Sequence, residues 1–120
     1  MRGTQATAVR TQCDTGSGAA ATIQIQTSGN VEICTITMTV KASHAFGANQ
    51  SGTITANNLP LSGTCDAGGT AAKFVVYDCD GVAVFFGTVG LSASDMNLTN
   101  LTYLVGDTIT LSTFAYSAPL

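Results

Sequence analysis

From Val31 to Lys41 the chain alternates without a break: Cys34, Ile36, Met38 and Val40 fall on one side, Thr35, Thr37, Thr39 and Lys41 on the other. A period of two sustained over this length belongs to a β-strand with one face in an apolar core and the other turned outward. Such a strand needs a partner for its backbone groups, and Ala21 to Thr27 supplies one, with Ile23 and Ile25 opposed to Thr22, Gln24 and Gln26. Ser28-Gly29-Asn30 turns the chain between them, so the two segments are expected to form a hairpin with its threonine face outward.

The rest of the chain extends this pattern. Asp80-Gly81 is a strong hairpin turn between Ala71–Cys79 and Val82–Val89, because glycine tolerates the positive φ that a tight turn requires. Both of these runs are apolar on two faces, as central strands would be. Ser51 to Asn57 reads as a short strand near an edge, with Ile54 as its one large apolar residue. Asn58 to Gly69 reads as an irregular crossing loop, since it holds Pro60 and Cys65-Asp66-Ala67-Gly68-Gly69. Leu98–Leu104 and Asp107–Ala115 supply two more strands, and Ser117-Ala118-Pro119-Leu120 a tail. Ahead of all this, Ala6, Val9 and Cys13 recur at helical spacing, with Thr4 as N-cap and Gly16 as stop. The expected fold is all-β, an antiparallel β-sandwich of jelly-roll or immunoglobulin-like type. It has a short N-terminal helix or arm over residues 1–18 and the sandwich domain over 19–120.

At 120 residues the chain has room for one core and one domain. Charged residues make up 9% of it, against roughly a quarter in ordinary soluble proteins, and threonine, serine and glycine stand in their place. With 4 basic against 7 acidic residues and a net charge of −3, it has no positive field for nucleic acid or an anionic membrane. The longest apolar runs, Phe74–Tyr77 and Val82–Phe86, are far short of the roughly 18 residues that a membrane helix needs. A surface this poor in charge is expected to lie against other protein. The opening Met-Arg-Gly-Thr-Gln-Ala-Thr lacks the apolar centre of a secretory signal, so synthesis in the cytoplasm and free thiols at Cys13, Cys34, Cys65 and Cys79 are expected. If the cysteines did pair, three connectivities would be open.

Candidate chemistry is sparse. The single histidine, His44, has no nucleophile-elbow sequence to serve and reads as a loop or strand-end residue. Asp78-Cys79-Asp80-Gly81 starts like a calcium loop, but Val82 occupies the next ligand position and no later glutamate closes it. Neither Cys-Asp pair has zinc spacing. The six aspartates and Glu32 offer no recognisable glycosidase pair. Asn-x-Ser/Thr sequons at Asn49, Asn97 and Asn100 matter only in an exported eukaryotic chain. No catalytic, cofactor or metal site is therefore expected. Phe74, Tyr77, Phe85 and Phe86 read as core residues, which leaves Tyr103, Phe114 and Tyr116 as the aromatics available for an outward stripe.

From residue 42 onward a series of pieces follows in order: Ala45-Phe46-Gly47-Ala48, Gly52-Thr53-Ile54-Thr55-Ala56-Asn57, Asp66-Ala67-Gly68-Gly69-Thr70-Ala71-Ala72, Gly87-Thr88-Val89-Gly90, Ser94-Asp95-Met96-Asn97-Leu98 and Gly106-Asp107-Thr108-Ile109-Thr110-Leu111-Ser112-Thr113-Phe114. In serial order and spacing, over about two thirds of the chain, these resemble a family of small structural proteins of tailed bacteriophages and prophages. Cys65 and Cys79 stand where that family leads one to expect serine, alanine or glycine. The resemblance implies a β-sandwich virion component, made in the host cytoplasm. Taken with the charge deficit, the expectation is a capsid decoration or cement protein whose partners are the major capsid protein and copies of itself. Its contact residues are expected among Thr35, Thr37, Thr39, Tyr103, Phe114 and Tyr116. The alternative within the class is a tail or head-tail junction protein. The alternative outside it is a secreted carbohydrate-binding module using the Tyr103, Phe114 and Tyr116 stripe.

Overall fold

The computed structural model describes residues 2–40, 44–48, 53–91, 94, 96–98, 100–111 and 114–117. The alternating segment forms β2 (Glu32–Val40), antiparallel to β1 (Ala20–Gln26), with Ile23 opposite Ile36 and Ile25 opposite Cys34. The register shifts after Ile25, so that Gln26 pairs with Glu32 and Ile33 is an extra residue on β2. That bulge turns both Ile33 and Cys34 into the core, which strict alternation forbids. Asn30 closes the turn at φ 68°, a conformation that asparagine tolerates better than most residues.

The far side of β1 pairs with β6 (Lys73–Tyr77), placing Phe74 opposite Ile25 and Val76 opposite Ile23. The Asp80-Gly81 turn, with Gly81 at φ 81°, then leads into β7 (Ala83–Gly90), as expected. β8 (Met96–Asn97) adds in parallel at the end of β7, and the sheet order is β2-β1-β6-β7-β8. The remaining strands form three separate antiparallel pairs. These are β3 (Thr53–Thr55) with β11 (Ala115–Ser117), β4 (Leu61–Thr64) with β10 (Thr108–Leu111), and β5 (Gly69–Thr70) with β9 (Thr102–Tyr103).

The inner face of the large sheet and the small pairs share one buried cluster, to which Ile23, Ile36, Val76, Ile54, Leu61, Ile109 and Leu111 all belong. Its aromatic centre is Phe114, with ring centroids 5.5 Å from Phe74, 5.9 Å from Phe46 and 6.2 Å from Phe85. The N-terminal helix α1 (Arg2–Cys13) enters the same cluster through Cys13, which is fully buried, and through Val9 at its edge.

The chain is thus mostly β with one short helix, and its sheets are antiparallel apart from the β7–β8 contact. Several local expectations are corrected. The helix begins at Arg2, so Thr4 lies inside it and is no N-cap. The supposed loop over residues 58–69 contains β4, because Leu61 reaches the core while Ser62 and Thr64 face out, a short alternation hidden between Pro60 and the glycines. The strand expected over Leu98–Leu104 shrinks to Thr102–Tyr103, and the one over Asp107–Ala115 divides between β10 and β11. β7 is not buried on both faces: Phe86 is 78% exposed. Expectations that fall on Lys41, Ser51 and the last three residues lie outside the described residues.

Candidate interaction face

Pairing register builds the outer surface of the large sheet row by row. Thr35 lies opposite Gln24, Gln24 opposite Val75, and Val75 opposite Phe86. The next row runs Thr37, Thr22, Tyr77, Ala83, and a third runs Glu32, Gln26, Lys73, Thr88. The threonine face expected from sequence is therefore one end of a continuous surface whose other end is aromatic. Four strands spaced about 4.8 Å apart, with same-face residues about 7 Å apart along each, give three rows over a patch of roughly 14 by 14 Å.

Its parts differ in availability. Thr37 is exposed, whereas Thr35 and Thr39 are half-buried. Thr35 Oγ1 donates to Glu32 Oε2 at 3.2 Å, and Thr39 Oγ1 donates to the Asn57 carbonyl at 3.3 Å. Those two hydroxyls are committed within the chain, so Thr37 is the one of the three that faces solvent. Glu32 and Lys73 flank the buried Gln26 in the third row, and the rest of the patch carries the Gln24 amide, hydroxyls, Val75 and the half-buried Tyr77.

The aromatic half of the expected contact set lies elsewhere. Tyr103 is 7% and Phe114 4% exposed, and Tyr116 packs against Phe85 at 5.1 Å between ring centroids. The Tyr103 hydroxyl donates to the Asn100 carbonyl at 2.6 Å. These three do not make an outward stripe. Phe86, expected in the core, faces out instead.

An open cavity of about 340 Å³ is lined by Leu98, Asn100, Tyr103, Asp107, Thr108 and Thr110. Two of its polar side chains already serve the chain: Asn100 Nδ2 donates to the Thr102 carbonyl at 2.7 Å, and the Leu104 N–H donates to Asp107 Oδ2 at 2.8 Å.

The other candidates have structural work. Asp78 accepts hydrogen bonds from the N–H groups of Asp80 and Val82 and from Gln12 Nε2. The Val82 amide foremost holds its carboxyl below the ordinary value. Asp80 Oδ1 accepts from both the N–H and the hydroxyl of Ser17. The Asp-Cys-Asp-Gly turn thus anchors the N-terminal arm. His44 Nδ1 lies 2.8 Å from Asp14 Oδ2, while Asp14 Oδ1 accepts the Ala45 N–H, which ties the helix end to the chain after β2. Among the described residues no cluster of three or more His, Cys, Asp or Glu side chains is placed to hold a metal ion.

No protein-family model matches this chain, and neither curated proteins nor solved structures give a match to it.

Proposed function

We propose that this chain is a structural protein of a phage particle, a capsid decoration or cement protein that binds the major capsid protein and its own copies through the outer face of the β2-β1-β6-β7 sheet. In this reading the three small strand pairs act as the second layer of a jelly-roll or immunoglobulin-like sandwich. The observation that carries the proposal is the composition of that face: hydroxyls and amides around Thr37 and Thr22, ending in a phenylalanine that is 78% exposed. An exposed phenylalanine beside hydroxyls and amides offers a partner surface an aromatic anchor. The serial resemblance to phage structural proteins supports the same reading.

The size of the face adds a constraint. At roughly 200 Å² in plan it is well under the ~800 Å² per partner of a standard stable interface. Each copy must then touch more than one neighbour, as a lattice-bound protein does, and occupancy comes from the sum of contacts.

Quantitative mass spectrometry of purified particles tests the reading. The expected result is a copy number comparable to that of the capsid protein. Absence, or a handful of copies, refutes the cement role, and the latter outcome points to a tail or junction component. On particles stripped of the protein, Phe86→Asp is expected to weaken rebinding by at least about tenfold, as loss of an aromatic anchor does. Its melting temperature should stay near that of the parent chain.

A further inference from the structure

The cysteines of this chain are not scattered through its core. Cys79 Sγ lies 3.5 Å from the Cys13 carbonyl oxygen, and Cys34 and Cys65 stand opposite each other as an isolated antiparallel bridge. The second pair has the more telling geometry. The Asp66 N–H donates to the Ile33 carbonyl at 2.8 Å, and the N–H of Cys65 itself points away, to the Asp107 carbonyl at 2.7 Å. Bonding between the flanking residues rather than between 34 and 65 makes these two a non-hydrogen-bonded pair. In such pairs generally the Cα atoms are about 4.5 Å apart and the side chains are closest. That separation lies within the roughly 4.4–6.8 Å that a disulfide spans. The two thiols, free and buried here, stand close enough for each to perturb the other. Gly63 permits the approach: a Cβ there would stand 2.7 Å from the Thr35 carbonyl oxygen and 3.0 Å from Cys34 Sγ.

We propose that Cys34 and Cys65 are a disulfide site, closed by a small-molecule disulfide such as oxidised glutathione, and that closure staples β4 to β2. One cysteine thiolate attacks a glutathione sulfur and expels a glutathione thiolate, leaving a mixed disulfide. The second cysteine thiolate attacks the protein sulfur of that mixed disulfide and expels the other glutathione. The two thiol protons end on the two glutathione thiolates, and two electrons pass from the protein to the oxidant.

The state of the pair follows its surroundings: two thiols in a reducing compartment, a bridge in an oxidising one. The timing follows from burial. Both sulfurs lie out of solvent, and desolvation pushes the Cys34 thiol up to about 12 and raises Cys65 as well. Thiolate is scarce in the folded protein at neutral pH, so the bond closes as β4 docks during folding, not by attack on the finished structure. The bridge would span the seam between the five-stranded sheet and the β4–β10 pair, closing a loop over residues 34–65.

The experiment is refolding of the full chain from denaturant in a mixture of reduced and oxidised glutathione, followed by alkylation, intact mass and peptide mapping. Trypsin alone leaves Cys13 and Cys34 in one peptide, since no Lys or Arg lies between Arg10 and Lys41. A glutamate-specific protease cutting after Glu32 separates them. The expected product carries a link between the peptides holding Cys34 and Cys65, is lighter by two hydrogens for that link, and unfolds at a higher denaturant midpoint than the reduced chain. Protein folded first and then exposed to the same mixture should close much more slowly. If both residues alkylate fully after oxidative refolding to native secondary structure, or if either is joined to Cys13 or Cys79 instead, the proposal fails. The Cys13→Ala/Cys79→Ala variant provides a second measurement in which 34–65 is the sole possible intramolecular link, and it should close to the same extent.

Discussion

Replacing Gly18 by alanine should be among the more destabilising single-methyl changes available in this molecule. The loop after the N-terminal helix lies flat on the Asp78–Val82 turn, and a Cβ at Gly18 would fall 2.1 Å from the Cys79 carbonyl oxygen and 3.1 Å from its carbon. Neither atom belongs to a flexible side chain, so the turn must shift or the arm must lift. Forcing a methyl into packed backbone costs about 1–3 kcal/mol. Lifting the arm sacrifices the Cys79 N–H bond to the Thr15 carbonyl, the Ser17 contacts to Asp80 and the Gln12 contact to Asp78. At about 0.5–1 kcal/mol net for each of these four bonds, the two routes cost much the same, and the expected loss is roughly 2–3 kcal/mol. For a chain of this length that lowers the melting temperature by about 8–12 °C. Gly81→Ala, in the same turn, provides the control. Its Cβ meets nothing within 4 Å, so the cost is that of holding alanine at φ 81°, about 1 kcal/mol. Parallel thermal and urea denaturation of the two variants decides the matter. If Gly18→Ala proves no more destabilising than Gly81→Ala, the close docking of the arm on this turn is wrong.

Acid should act through Asp78. Its folded pKa lies below the usual 3.8, so the folded state binds fewer protons there; the contribution is complete above that value and is lost as pH falls through the lower folded one. Denaturant midpoints measured between pH 5 and pH 2 should fall less steeply for Asp78→Asn than for the parent. Phe114→Ala, which removes the centre of the aromatic cluster, should cost about 3–5 kcal/mol by chemical denaturation, whereas a sugar-stacking role would change glycan binding and spare stability. Rebinding to stripped particles should change by less than about threefold between 0.1 and 0.5 M salt, because the face carries few charges to screen.

What could be read from the sequence was local. The Val31–Lys41 alternation and the Asp80-Gly81 turn each announce themselves within ten residues, and both β hairpins stand where they were expected. β4 was missed because its evidence is not local. Leu61-Ser62-Gly63-Thr64 carries one large apolar residue between a proline and a run of glycines, and it becomes a strand only because β10, more than forty residues later, supplies the matching edge. The same limit governs the three small pairs, each joined across a long separation by strands too short to show a period. The Ile33 bulge is of this kind too: it depends on how β1 ends, and nothing in the β2 segment foretells it.

The face was half legible for a related reason. Period two sorts residues onto two sides of a strand, so Thr35, Thr37 and Thr39 were placed correctly on the side opposite Cys34 and Ile36. Which side of an all-apolar strand stays uncovered is decided by what packs on the sheet, and β7 gives no internal clue. Val84, Phe85 and Phe86 are equally apolar, yet Phe85 shares a row with Val76 and Ile23 and packs against the core, while Phe86 shares one with Val75 and Gln24. The identity of the cross-strand neighbours settles the matter: a glutamine in the same row marks the outer face for every residue paired through it. Once the β1–β6–β7 pairing is known, Gln24 alone assigns Phe86 to the surface. It does so four strands' width from the threonines, and it turns a phenylalanine read as core packing into the residue on which the proposed docking depends.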